Sequence, residues 1–290
     1  MDLVRELRDD KRSGARELSI KSLKAFIRLA RETKTESVEE QEKMLKDITL
    51  RIISAQPSMA SVFNCMNNLF PLEGKSTEQL RNRAIRKAKN EITSIRRIDL
   101  RVSRIGAQLI KRGEVILTMS SSSSVFHILE RASHKEISVI VCESHPGGEG
   151  VIFAKMISPI AVTTLIPDFT FPYFMDEVTL VLVGADAVSP THIINKCGTS
   201  LLVQEARRRR IPTVCVCDTY KIIPFTLPIE EFLRIKGGLT RRDVLFDRTP
   251  LKAVTHFLTE RGIHDSDTIK RMGNEKKNQF SVPLFFQATF

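Results

Sequence analysis

Residues 178–224 read VTLVLVGADAVSPTHIINKCGTSLLVQEARRRRIPTVCVCDTYKIIP. The apolar run 178–183 has the length and β-branched content of a buried strand, and Gly184-Ala185-Asp186 closes it. Asn195-Lys196 precedes Gly198-Thr199, where a helix is expected to start, and the basic run 207–210 ends that helix. A second apolar strand follows over 212–217, with Asp218-Thr219-Tyr220-Lys221 at its end. Strand, helix and strand in this order belong to an α/β fold. Its polar clusters fall beyond strand ends or at a helix start, where open α/β sheets hold ligands. An aspartate, an asparagine and two lysines converging there describe a site for a small, phosphorylated anion.

The same alternation extends back to Gly113. Short β-rich runs occupy 114–119, 137–142, 161–166, 178–183 and 213–217, and helical segments are expected at 125–132, 151–157, 172–176 and 201–209. Strands joined by crossover helices form a parallel sheet covered on both faces. Residues 247–261 (DRTPLKAVTHFLTER) predict one more helix, with Pro250 in its first turn. Beyond Ile263 the chain is polar and then Phe-rich (Phe280, Phe285, Phe286, Phe290), a tail that can either dock in an oligomer groove or fray.

Residues 1–112 read as helices instead. Leu23, Phe26, Ile27 and Ala30 make one apolar stripe, and Met44, Leu45, Ile48, Leu50, Ile52 and Ile53 make another cluster. Gln56-Pro57 breaks that second helix, Ser58 is placed to cap a third, and 71–75 is a loop. A long helix over 77–111 carries Ile85, Ala88, Ile92, Ile95, Ile98, Val102, Ile105 and Leu109 on one face. The expected organisation is an N-terminal helical domain (1–112) whose long last helix connects to an α/β domain (113–290).

The formal net charge of +11 is concentrated: 75–112 alone holds 12 basic and 3 acidic residues. Such a stripe suits nucleic acid or an acidic protein, and equally a solvated helix face. No aromatic side chain interleaves with it, which argues against single-strand binding. No apolar run reaches about 18 residues, so no membrane span is expected, and the N-terminus lacks a signal-peptide core. The five cysteines are odd in number and show no metal-ligand spacing, which points to reduced thiols and a cytoplasmic protein. No metal and no cofactor is expected.

Ser120–Ser124 ends a strand and opens a helix, so its hydroxyls either cap the first turn or cradle a phosphate. Gly198-Thr199-Ser200 repeats the arrangement. Asp186 is a candidate acid/base group, with a turn-holding structural role as the alternative. Lys196 and Lys221 are candidate phosphate contacts. His145 and His192 fall in loops and His127 and His256 in helices, and none has a partner that suggests zinc or a nucleophile relay. The ESHPGGEG loop (143–150) lacks dinucleotide-binding spacing.

VLVGADAV, IINKCGTSLL and CDTYKIIPF resemble motifs shared by three protein groups. These are the alpha, beta and delta regulatory subunits of translation initiation factor 2B, ribose-1,5-bisphosphate isomerases and methylthioribose-1-phosphate isomerases. The likeness continues through RSGARELSIKSL, QPSMASVFN, RIGAQLIKRGEVILTMSSSSSV, VCESHPGGEG and VLFDRTPLKAVTHFLTERGI. It implies a helical domain on a Rossmann-like domain with a mostly parallel sheet, and dimers or hexamers built from dimers or from related subunits. Gly14, Ala15, Asp186, Asn195, Lys196 and Lys221 match the group's ligand-binding positions, and Ser120 stands where the isomerases carry a catalytic cysteine. A serine hydroxyl ionises far less readily than a thiol, whose pKa is about 8.5. Gln56 replaces the arginine with which the isomerases grip phosphate. The departures favour an initiation-factor-2B regulatory subunit, acting through assembly and partners such as initiation factor 2, with a retained pocket for a nucleotide or sugar phosphate. The alternative is a sugar-phosphate aldose–ketose isomerase with Asp186 as its acid/base group.

Overall fold

The computed structural model describes residues 2–10, 13–229 and 231–279. Helices α1 (Leu3–Asp9), α2 (Ala15–Glu32), α3 (Val38–Ala55), α4 (Ala60–Asn67) and α5 (Thr77–Leu109) come first. Then follow β1 (Val115–Thr118), α6 (Ser123–Ala132), β2 (Ser138–Cys142), α7 (Glu149–Ile157), β3 (Val162–Ile166), α8 (Phe171–Phe174) and β4 (Leu180–Gly184). The chain continues through β5 (Ala187–Val188), β6 (His192–Lys196), α9 (Thr199–Arg208), β7 (Thr213–Val216), β8 (Glu231–Lys236) and β9 (Leu239–Val244). It closes with β10 (Phe246–Pro250), β11 (His256–Thr259), β12 (Gly262–His264) and α10 (Ser266–Glu275). The mixed α/β architecture, with a helical N-terminal region and a large, mostly parallel sheet, is the one expected.

Several helices, α1, α3 and α5 among them, start where short polar side chains satisfy free N–H groups. Asp2 accepts from Val4 and Arg5, Ser37 from Glu40, and Ser76 from Gln79. Ser58 is not a cap: Met59 holds that position in α4, and the Ser58 hydroxyl donates instead to the Pro228 carbonyl at 3.0 Å. Small residues let α5 pack closely on both regions. Ala84 and Ala88 are fully buried in the helical core, and a Cβ on Gly106 would lie 2.5–2.8 Å from Ile128 and Leu258. Asp99 of α5 is buried and accepts from Arg16 of α2 at 2.9 Å and meets His127 of α6 at 2.8 Å. The long helix thus joins the two regions by packing and by charge.

The large sheet runs β12-β11-β7-β4-β1-β2-β3, parallel except for β11–β12. From β1 the order proceeds to β2 and β3 on one side and to β4 and β7 on the other, so a crevice opens between the C-terminal ends of β1 and β4. Ser120 and Asp186 follow those two ends. An antiparallel sheet, β10-β6-β5, stands beside the crevice, and β8–β9 form a separate hairpin.

The helix expected over 247–261 does not form. That segment makes β10, a short 3-10 turn and β11. Its Thr249, Val254, Thr255 and Phe257 favour a pleated, half-buried surface, and Pro250 is tolerated because it ends an edge strand, opposite His192. His256 therefore opens a strand, and His192 opens β6 instead of lying in a loop. The Phe-rich tail lies outside the described residues. All five cysteines are free, and among the described residues no helix is long and apolar enough to cross a membrane.

Candidate functional site

The floor of the site is a short chain of hydrogen bonds between the β1 and β2 ends. Ser120 sits in the left-handed region (φ 68°), with its N–H donating to the Ser144 hydroxyl at 2.7 Å. Ser144, also left-handed, is held by Asp168, whose carboxylate accepts from the Ser144 and His145 N–H groups at 2.6 and 2.7 Å. The chain then turns through Gly148 into α7. Gly150 must be glycine, because a Cβ there would lie 1.8 Å from the Cys142 carbonyl oxygen. This tight turn delivers Glu149 to the crevice. The Ser120 hydroxyl donates to Glu149 Oε1 at 2.9 Å, and Lys196 Nζ lies 3.1 Å from Glu149 Oε2.

Asp186 faces this trio from the end of β4. Its N–H donates to the Ile194 carbonyl at 2.9 Å, which fixes it at the base of the β5–β6 hairpin. Burial pushes its carboxyl up to about 6, helped by the nearby Glu149 charge, while Lys221 and Lys196 oppose the rise.

Gly14, Ser120, Asp186 and Lys196 line one cavity of about 470 Å³, a size that suits a small ligand. Ala15 is the first residue of α2, next to the wall. Asn195 is buried and turned toward Thr199, to which it donates at 3.0 Å. Lys221 is 95% buried outside the lining residues; it makes no ion pair or hydrogen bond through its side chain among the described residues, and its charge acts on Asp186 and Asp218. Gln56, also in the wall, donates to the Leu7 and Asp10 carbonyls and so ties down the end of α1.

Two expected anion contacts are already taken. Lys196 is paired with Glu149, and the α9 N-terminus is filled by Asp247, whose Oδ2 accepts from the Gly198 and Ser200 N–H groups at 2.8 and 3.1 Å. Register explains the second: β10 pairs with β6 so that Asp247 stands opposite Asn195, three residues before Gly198, the N-cap of α9. The phosphate cradle expected at Gly198-Thr199-Ser200 is therefore an internal cap. The start of α6 is capped too, by Ser122, which accepts from Val125 at 3.4 Å.

Sequence reasoning passed over Glu149, Asp10 and the ceiling residues Phe232, Leu245 and Phe246. Glu149 had a visible signal, since it is the first helical residue after a Gly-Gly turn next to a strand end. The hairpin had none. Among the described residues no cluster of three or more His, Cys, Asp or Glu side chains is arranged to hold a metal.

The family model of the initiation factor 2 subunit family matches residues 11–266. The chain belongs to that family. A Pyrococcus furiosus relative described as eIF-2B subunit 2-like is 33% identical over 273 residues, covering 90% of this chain and 94% of its own. The ribose 1,5-bisphosphate isomerase of Archaeoglobus fulgidus is 27% identical over 281 residues, covering 90% and 88%. The solved translation initiation factor eIF-2B of Pyrococcus horikoshii superposes with a TM-score of 0.82 at 30% identity, over 90% of this chain and 95% of that one. The family thus includes both translation-factor and isomerase names, and membership alone does not choose between them.

In this family member the helical region grips the site. The Tyr220 hydroxyl donates to Glu91 of α5 at 2.5 Å, and Asn64 of α4 donates to the Ile222 carbonyl at 2.9 Å. Burial, with the Glu91 carboxylate beside it, raises the Tyr220 phenol well above its usual range. The loop carrying Lys221 is therefore tied to α4 and α5.

Proposed function

We propose that this protein is a regulatory-subunit-like member of the initiation factor 2B branch, working by assembly and by binding partners such as initiation factor 2. Its cavity holds a nucleotide or sugar phosphate without turning it over. One observation carries the reading: where the resemblance places a cysteine in the isomerases, Ser120 spends its hydroxyl on Glu149, itself ion-paired to Lys196. A serine so engaged is a poor proton-transfer group. The described lining sets the carboxylates of Glu149 and Asp186 beside one ammonium, Lys196, and includes Asp10, whose carboxylate is paired with Lys21 at 2.8 Å. Carboxylates accept from ribose hydroxyls, and the N–H groups at the start of α2 favour the phosphate. Gly14, Ala15, Ser120, Asp186, Asn195, Lys196 and Lys221 remain the proposed ligand set, with Asn195 and Lys221 shaping the wall from behind.

The test has two arms. Purified protein incubated with ribose 1,5-bisphosphate and followed by NMR is expected to give no product. Ribose phosphates and nucleoside monophosphates at millimolar concentration are expected to raise the melting temperature, since a ligand that binds only the folded state stabilises it. No shift with any of them would remove the pocket from the proposal.

A second reading, isomerase activity, is favoured by the raised Asp186 carboxyl, because a general acid/base works best with a pKa near the operating pH. Turnover that Asp186→Asn abolishes would establish this reading and overturn the first.

A further inference from the structure

The exposed face of α5 is a line of positive charge. Arg86, Lys89, Arg96, Arg97, Arg101 and Arg104 are all exposed, and none forms an ion pair or hydrogen bond through its side chain among the described residues. Four other cations of the same window are engaged. Arg83 pairs with Glu73 at 3.5 Å, Arg112 with Glu136, Arg81 donates to the Thr33 carbonyl and Lys87 to the Pro71 carbonyl. Two acids of the helix point elsewhere, Asp99 buried against Arg16 and Glu91 meeting Tyr220 and Asn68, and the third, Glu78, is exposed in the first turn, eight residues before Arg86.

Helical geometry makes this a stripe. At 100° per residue, positions 86, 97 and 104 lie within about 20° of one line, with 89, 101 and 96 within about 80° of it. At about 1.5 Å per residue, Arg86 and Arg104 are about 27 Å apart along the axis. Leu100, 54% exposed, is the single exposed large apolar side chain among these six cations, so the face lacks the cluster of apolar anchors on which a protein interface relies.

We propose that this face of α5 binds the phosphate backbone of a nucleic-acid duplex, without reading sequence. An elongated patch of unpaired cations, five of them guanidinium groups, suits a linear polyanion, and Arg donates to phosphate in a fixed fork. The absence of aromatic side chains along the row leaves no platform for unstacked bases, which selects a duplex over a single strand. The site lies on a helix whose opposite face is core, so it is preformed and independent of the cavity.

Fluorescence anisotropy of the full chain with a labelled 24-base-pair RNA duplex of mixed sequence tests the proposal. Binding is expected at 50 mM KCl, and log Kobs should fall against log[KCl] with a slope of about −3.6 to −5.4, the signature of about four to six neutralised phosphates. The variant R97Q/R101Q/R104Q should bind at least about tenfold more weakly at 50 mM KCl and flatten the slope by about 2 to 3. The variant R28Q/R51Q/K252Q removes the same net charge from other exposed positions and should retain the parent affinity and slope. Equal loss in both variants would show attraction by overall charge and overturn the stripe. Tighter binding of a poly-glutamate peptide than of the duplex would reassign the face to an acidic protein, and no duplex binding at 50 mM would also sink the proposal. Melting curves confirm that each variant is folded, as exposed substitutions on a stable helix are expected to be.

Discussion

Asp186 shows what one residue's surroundings do to its chemistry. Its carboxyl is raised to about 6, so the folded state holds its proton more tightly than the unfolded chain does. A raised folded-state value favours folding below about pH 4, and that contribution is lost as pH rises through 6. Asp186→Asn removes the titration, so its stability should be near the parent's at pH 4 and exceed it by about 1–2 kcal/mol at pH 8, after discounting for partial solvent access. Urea titrations at the two pH values decide it; an equal difference at both would show that the carboxyl titrates normally in the fold. Gly150 gives a second residue-scale expectation. Gly150→Ala forces a methyl against the Cys142 carbonyl, so it should cost about 1–3 kcal/mol and lower the melting temperature by several degrees. The candidate site itself was half legible at this scale. Position at a strand end or helix start pointed to Ser120, Asp186 and Lys196, and the family resemblance to Gly14, and all four line one cavity. Sequence could not show that Glu149 would neutralise Lys196, because that contact joins positions 47 apart through a glycine turn.

At the scale of elements, pairing explains what local pattern concealed. The parallel strands β1, β2, β3, β4 and β7 were readable because each is a short apolar run bounded by turn residues. The segment 247–261 was not, because its apolar spacing fits a helix as well as it fits strands, and register with β6 chose the strands. That register also determines the anion chemistry, since it seats Asp247 on the α9 N-terminus. Asp247→Ala should therefore lose a cap worth about 1–2 kcal/mol and open that helix end to solution anions. Sulfate should then recover part of the lost melting temperature in the variant while affecting the parent less. Equal sulfate responses would mean that the helix end stays closed without the carboxylate.

At the scale of the whole molecule, the surface carries a second kind of patch, apolar instead of basic. The edge strand β3 exposes Val162 and Leu165, the segment after it exposes Phe169 and Tyr173, and α7, which packs on that edge, exposes Ile152 and Met156. Phe169 and Tyr173 are more than 80% exposed, and they border a surface groove with Leu165. An unpaired edge strand flanked by large apolar side chains is a liability unless something covers it. Ile152 also lines the ligand cavity, so whatever covers α7 would sit next to the ligand. Under the proposed function, this face is where a neighbouring copy is expected to dock. Val162→Lys with Phe169→Glu should therefore leave the fold intact by circular dichroism and shift sedimentation from an assembly to the 32.9 kDa monomer. In the parent, phosphate esters that raise the melting temperature are expected to change the assembly constant too, because Ile152 of α7 both lines the cavity and is exposed beside this face, and any such coupling acts equally in both directions. An assembly unaffected by the double substitution would place the interface elsewhere, and one affected by it but indifferent to ligand would separate the cavity from the oligomer.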